Sequence, residues 1–210
     1  MRHSSRPHII GIAGASCSGK SVLAERLAKH LEKYATAVVS MDAYYCGLSH
    51  LAEQDRKSHN FDVPEALDWD LLRAHLRTLS KGQSIAMPVY DFASHTRTNH
   101  RETVAPARFL IVEGLLALHD PALRRLLDTK VFVKADDAVC LARRIERDVR
   151  DRGRTRESVE RQYRETVLPM AHKYVLPQEK HADAVVDGCA ILDASVQDVV
   201  ATLGPGGLAD

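Results

Sequence analysis

Short apolar runs alternate with stretches of helical periodicity along this chain, the order expected of a parallel sheet covered on both faces. The runs Ile9 to Ala13, Ala37 to Met41, Phe109 to Val112, Val131 to Val133 and Ala184 to Val186 predict strands. Helices are predicted over Ser21 to Tyr34, Asp70 to Ser80, Pro121 to Leu127, Asp137 to Arg150, about Glu157 to Val167, and Ser195 to Leu203. In the first of these, Leu23, Leu27, Leu31 and Tyr34 fall at spacings of four, four and three, one stripe of a helix. In the helix from Asp137, Leu141, Ile145 and Val149 form the predicted buried stripe, with Arg143, Arg147 and Arg150 on another face. Between about residues 43 and 108 the rhythm breaks into a polar stretch, one helix, the run Ile85 to Tyr90 and a tract rich in His, Thr and Arg. So long a break predicts an insertion over the strand ends of an otherwise single α/β domain.

Composition narrows the field of partners. At 210 residues and 45% hydrophobic content the chain can bury a sizeable core. The balance of 29 Lys and Arg against 28 Asp and Glu gives a net charge of +1. No global field then draws in nucleic acid or an anionic membrane, and any anion binding must be local. Cys17, Cys46, Cys140 and Cys189 stand far apart with no CxxC pair, which disfavours zinc and points to free thiols in a reducing compartment, the cytoplasm. No run approaches the ~20 apolar residues of a membrane span, and Met1 to His8 is polar and basic with no apolar segment behind it. Gly204, Pro205, Gly206 and Gly207 are expected to form a flexible tail.

The most informative chemistry sits directly after the first strand. Gly14, Ala15, Ser16, Cys17, Ser18, Gly19, Lys20 and Ser21 read GxxxxGKS, a loop whose backbone N–H groups can converge on a phosphate tail. Lys20 adds a point charge near the β and γ phosphates, and Ser21 offers a hydroxyl to Mg²⁺ while opening a helix whose positive end faces the same phosphates. Strand, loop and helix are all present, so the fold class is that of a P-loop nucleotide-binding protein: a parallel sheet flanked by helices.

In open sheets of this kind ligands bind beyond the carboxyl ends of the strands. The second strand delivers Asp42 there and the third delivers Glu113, followed by Gly114, as in the acidic second signature that helps hold Mg²⁺ in P-loop proteins. Carboxylates gathered near one phosphate loop imply a metal and a proton acceptor. A guanine-reading NKxD motif and a DxxG after the second or third strand are both absent, which speaks against a GTP-hydrolysing switch.

Six spaced motifs carry a resemblance. They are NFDxP from Asn60, PxYDFxxHxR from Pro88 to Arg97, IVEG at Ile111 to Gly114, RRIERD at Arg143 to Asp148, RGR at Arg152 to Arg154, and QY at Gln162 and Tyr163. Together they resemble the uridine-cytidine kinase family from Ile9 to about Val186. The resemblance implies transfer of the γ-phosphoryl group of ATP, with Mg²⁺, to the 5′-hydroxyl of uridine and cytidine. It implies that Asp42 is the general base near Mg²⁺, although a helix cap or a metal partner would also account for it. It implies that Asp62 binds the ribose hydroxyls, against the alternative of a turn-forming Asp. Tyr90, Phe92 and His95 would form the pyrimidine pocket, His95 reading either base by switching tautomer.

Seven arginines stand between residues 143 and 156 against three carboxylates, a local charge of +4. A solvated basic face accounts for Arg143, Arg150 and Arg156. For the others the resemblance implies a lid over about residues 143 to 165, with Arg147 and Arg152 facing the nucleotide phosphates while Arg144, Arg154 and Gln162 reach toward the acceptor. Gly153 suits a hinge or a helix cap. Cys17 stands where the loop often has Gly or another small residue. The resemblance also implies a homo-oligomer, commonly a tetramer. Two alternatives stay open: a kinase of the same architecture acting on a sugar phosphate, and a nucleotide-binding regulatory module without turnover.

Overall fold

The computed structural model describes residues 6–203; the glycine-rich tail expected at Gly204 to Gly207 lies outside them. The strands are β1 His8–Gly14, β2 Thr36–Ser40, β3 Ile85–Asp91, β4 Thr96–Val104, β5 Phe109–Glu113, β6 Thr129–Lys134 and β7 Ala184–Asp187. Five of them form one sheet in the order β2-β5-β1-β6-β7, every neighbouring pair parallel, and β3 and β4 form a separate antiparallel hairpin. The helices are α1 Lys20–His30, α2 Glu53–Ser58, α3 Trp69–Ser80, α4 Pro121–Arg124, α5 Asp137–Arg152, α6 Arg156–Gln162, α7 Leu168–Met170 and α8 Leu192–Thr202. Among the described residues no helix is long and apolar enough to cross a membrane.

The central strands are apolar throughout because both faces of the sheet are covered. Successive side chains point to opposite faces. Ile10 and Ile12 of β1 therefore pack with Leu23, Leu27 and Leu31 around α1 and with Val196 and Val199 of α8. Ile9 and Ala13 face the other way, toward Leu72, Leu76 and Leu79 of α3 and Leu123 of α4. Each such fully buried Leu or Ile stabilises the fold by about 1.5–3 kcal/mol. Packing also qualifies the predicted insertion: α3, Ile85, Met87 and Tyr90 lie in the same apolar cluster as the sheet.

Several boundaries differ from the sequence expectation for local reasons. The first helix ends at His30, and Tyr34 falls in a 3₁₀ turn, Glu32–Tyr34. Leu31 has already left helical geometry, and the Thr36 hydroxyl donates to its carbonyl at 2.8 Å, tightening the entry into β2. Met41 belongs to a 3₁₀ turn, Met41–Tyr44, rather than to β2. The helical path after α6 runs on past Val167 to His181, through wide π turns at Tyr163–Val167 and Ala171–Val175. Pro169 stands in the first turn of α7 between them, where its missing N–H is tolerated.

The buried stripe predicted on α5 forms only in part: Ile145 is buried and Leu141 partly buried. Val149 is 43% exposed, whereas Cys140, Arg144, Ile145 and Asp148 are buried. The helix turns a charged face inward because the Asp148 carboxylate there is paired with the guanidiniums of Arg144, Arg147 and Arg152.

Candidate active site

The loop from Gly14 to Ser21 joins β1 to α1 at the carboxyl edge of the sheet. It fits its space tightly: a Cβ on Gly14 would stand 2.6 Å from the Val133 carbonyl oxygen, and one on Gly188 would stand 1.9 Å from that of Ser18. Cys17 adopts φ 64°, the left-handed region where glycine is at ease, so the sequence departure noted at this position carries backbone strain. The Ser18 hydroxyl is buried without a hydrogen-bond partner.

Arg143 was expected on a solvated face, and the structure corrects this. Its guanidinium reaches the carbonyls of Cys17 at 3.4 Å, Ser18 at 3.3 Å and Gly188 at 3.1 Å, so it ties the loop to the segment after β7. Arg150 and Arg156 do lie at the surface, beside Asp151 and Glu160.

The two acidic strand ends meet the loop. Glu113, at the end of β5, is buried and accepts hydroxyl bonds from Ser21 at 3.0 Å and Ser40 at 2.7 Å. Asp42 sits in the Met41–Tyr44 turn. Burial raises its pKa; Lys20, Arg152 and Arg147 pull it back down, while Glu113 pushes it further up. The Tyr45 phenol hydrogen-bonds to Asp42, and burial holds its own pKa well above the ordinary value. Asp62 is likewise raised by burial and opposed by Arg144, Lys20 and Arg147. The turn at this point is made by Asn60, whose side-chain oxygen accepts the Asp62 N–H at 2.9 Å. Asp62 instead lines a narrow crevice with Ala15, Ser16, Leu115 and Tyr163.

Tyr90, Phe92 and His95 come together, and two further rings join them. Tyr90 lies 5.4 Å from Tyr45, 6.2 Å from Phe61 and 5.3 Å from Phe92, measured between ring centroids. His95 stacks on Phe61 at 5.6 Å with an interplanar angle of 18°. Its backbone is left-handed, φ 53°, at the hairpin turn. Burial pushes the Tyr90 phenol up to about 12, and its hydroxyl is buried without a partner. Phe92 remains 43% exposed, with the Arg152 guanidinium 5.4 Å from its ring centre.

The arginine segment is organised around one carboxylate. Asp148 is fully buried, and its Oδ1 receives Arg147 at 2.8 Å and Arg152 at 3.5 Å. Its Oδ2 receives Arg154 at 3.4 Å and Arg144 at 3.7 Å. Arg144 also donates to the Ser16 hydroxyl at 2.9 Å and shares the Gln162 oxygen with Arg154, at 3.2 and 2.5 Å. Gly153 is the left-handed cap of α5, its N–H bonded to the Asp148 carbonyl. Burial, then the neighbouring charge of Arg147, lowers the Arg152 guanidinium below its usual value.

A cleft of about 530 Å³ opens on the outer side of the loop, lined by Gly19, Lys20, Arg143 and Arg147 and, across from them, Val186 to Gly188 and Leu192. No motif marks the residues after β7 that wall it. Only the adjacency of β6 and β7 in the sheet could have drawn attention to them.

The sequence profile of the Phosphoribulokinase / Uridine kinase family matches residues 9–195. A protein of Vibrio atlanticus named uridine kinase is 43% identical over 182 residues, covering 85% of each chain. One of Shewanella amazonensis with the same name is 45% identical over 182 residues, 85% of this chain and 86% of its own. Among solved structures, a putative fructose transport system kinase from Silicibacter sp. TM1040 superposes with a TM-score of 0.72 at 23% identity, over 89% of this chain and 92% of its own. Phosphoribulokinase from Rhodobacter spheroides gives a TM-score of 0.64 at 19% identity, over 89% of this chain and 74% of its own. Both likenesses are of fold.

Proposed function

The chain belongs to the Phosphoribulokinase / Uridine kinase family and is an ATP-dependent P-loop kinase, and from that premise we propose that it phosphorylates the 5′-hydroxyl of uridine and cytidine. The observation that carries the acceptor reading is the pairing of two carboxylates whose pKa desolvation raises, Asp42 and Asp62, with the ring cluster of Tyr45, Phe61, Tyr90 and His95, which meets Asp42 through the Tyr45 phenol. A nucleoside offers what such a cavity takes: a flat base for the rings and vicinal hydroxyls for a carboxylate.

In this reading Tyr90, Phe92 and His95 hold the base, and Asp62 accepts the ribose hydroxyls. Asp42 takes the proton of the 5′-hydroxyl, and its raised pKa makes it the stronger base for that step. The loop amides and Lys20 bind the polyphosphate, and Arg147 and Arg152 stabilise the charge that spreads over the transferring group. Arg144, Arg154 and Gln162 brace the acceptor side.

The donor set also suits Mg²⁺. Ser21, Glu113 and Asp42 present oxygen atoms, and the Glu113 charge near Asp42 is one a cation would relieve. Among the described residues no three His, Cys, Asp or Glu side chains converge as a metal cage. That accords with an ion held jointly with substrate phosphates and water. When bound it would neutralise phosphate charge. The proposal extends to a cytoplasmic location and a homo-oligomeric state.

The deciding experiment measures ADP release from MgATP across a panel of nucleosides, ribulose 5-phosphate and pantothenate. Turnover with uridine and cytidine is expected. Turnover with a sugar phosphate and none with uridine would overturn the acceptor assignment.

A further inference from the structure

Asp42 rides on a single 3₁₀ turn, and so short an element has little internal rigidity with which to aim a side chain. Its far end is gripped from outside. Arg97, on β4, donates Nη2 to the main-chain carbonyl of Tyr44 at 2.9 Å and Nη1 to Asp68 Oδ2 at 3.0 Å. Asp68 donates its own N–H to the same Tyr44 carbonyl at 2.9 Å, while its other carboxylate oxygen caps α3 through the Leu71 N–H at 3.1 Å. The Tyr44 ring is fully buried, and its hydroxyl shares a hydrogen bond with His75 of α3 at 2.9 Å. The turn bearing Asp42 is thus pinned to α3 and to the hairpin together.

The hairpin end of this tether matters as much. In the β3–β4 register Arg97 stands opposite Tyr90, the residue at the centre of the ring cluster. One rung of the hairpin therefore carries a wall of the acceptor cavity on one strand and the grip on the base-bearing turn on the other. The adjacent Thr96 adds a second link, its hydroxyl accepting the Leu48 N–H at 3.1 Å.

We propose that Arg97 is a positioning residue for phosphoryl transfer, fixing the spacing between the acceptor cavity and Asp42 through the Tyr44 carbonyl. This rests on the assignment of Asp42 as the base and of the ring cluster as the acceptor cavity. Both terminal nitrogens of Arg97 are spent on the frame, on Asp68 and the Tyr44 carbonyl. The effect is to keep the hydroxyl presented by the cavity in line with the carboxylate, where a displacement of about 1 Å can cost roughly 10² in rate. A planar fork is needed because two acceptors must be held at once, and a lysine ammonium, a single point charge, matches that geometry poorly.

The test compares R97K and R97Q with the wild type in steady-state kinetics, using whichever acceptor the wild type turns over fastest, with thermal melts alongside. R97K keeps a cation opposite Asp68, so it isolates the loss of the second contact from the loss of charge. The expected result is a kcat reduced about tenfold in R97K and up to about a hundredfold in R97Q, with KM for MgATP within twofold of the wild type in both. A purely architectural role would raise KM for MgATP along with the fall in kcat, and that result overturns the proposal. So does an R97K enzyme whose kcat stays within twofold of the wild type. Wild-type turnover of uridine is read separately: if another acceptor is preferred, the nucleoside assignment fails, while the R97K comparison with that acceptor still decides the role of the tether.

Discussion

Replacing Asp148 with Asn removes one negative charge from the centre of four guanidiniums while leaving the shape of the side chain intact. The carboxylate is fully buried, and breaking a buried ion pair by removing one partner costs about 3–5 kcal/mol. Part of that loss is recoverable here. The Arg147 and Arg152 side chains are 33% and 38% exposed and can turn toward water, and the Asn oxygen still accepts one hydrogen bond. Arg144, only 9% exposed, has no such escape, and Arg154, 26% exposed, has little. We therefore expect D148N to lose about 2–3 kcal/mol, somewhat less than an unrelieved buried pair would cost. For a chain of this size each kcal/mol shifts Tm by about 2–4 °C, so the melting point should fall by about 4–12 °C. Urea unfolding should show a lower midpoint at an unchanged slope, since the surface exposed on unfolding is the same. KM for MgATP should rise several-fold as Arg147 and Arg152 lose their common anchor. A D148N protein melting within about 1 °C of the wild type would show that the four arginines are held by something other than this carboxylate.

Asp42→Asn should lower kcat by at least about 10². It should also raise Tm at neutral pH: burial lifts the Asp42 pKa, so the stability it contributes is present below its unfolded pKa and lost as pH rises through the folded value. The advantage should close as the pH is lowered, and a D42N protein that melts below the wild type at neutral pH contradicts the burial argument. His95→Ala should raise KM for the nucleoside and leave that for ATP unchanged; equal weakening of both would make His95 structural. Arg143→Ala should do the reverse, raising KM for MgATP about tenfold, because it frees three carbonyls that hold the phosphate loop to the segment after β7; an unchanged KM for MgATP would show that the loop keeps its shape unaided.

What could be read from the sequence was local. The loop from Gly14 to Ser21 and the strands around it announce themselves because phosphate binding and strand burial each impose a pattern on consecutive residues. Asp42 and Glu113 followed from their places at strand ends. The ring cluster was half legible: Tyr90, Phe92 and His95 share one motif, whereas Phe61 and Tyr45 reach the same point from separate segments. The inward face of α5 was read only in part, for a physical reason. Periodicity counts apolar side chains, and a set of arginines gathered around one buried aspartate has none to count. Arg143 was missed similarly, because its partners are main-chain carbonyls, which every sequence supplies equally.

The arginines divide by where their partners lie, and this division bears on their roles. Arg143 and Arg97 are engaged with carbonyls or a fixed carboxylate on the frame. Arg144 and Arg154 share both Asp148 Oδ2 and the Gln162 oxygen, and each has a further acceptor, Ser16 for Arg144 and Ser158 for Arg154. Arg147 and Arg152, by contrast, crowd onto the single oxygen Oδ1, more exposed than the other pair, and their mutual repulsion contributes to the lowered pKa of Arg152. One carboxylate oxygen cannot neutralise two cations. The deficit sits beside the phosphate loop, near Lys20 and Asp42, where an incoming polyphosphate would supply the missing negative charge. If Arg147 and Arg152 meet the transferring group as proposed, they gain most when charge accumulates on it, and that difference would let binding energy appear in kcat as well as in KM.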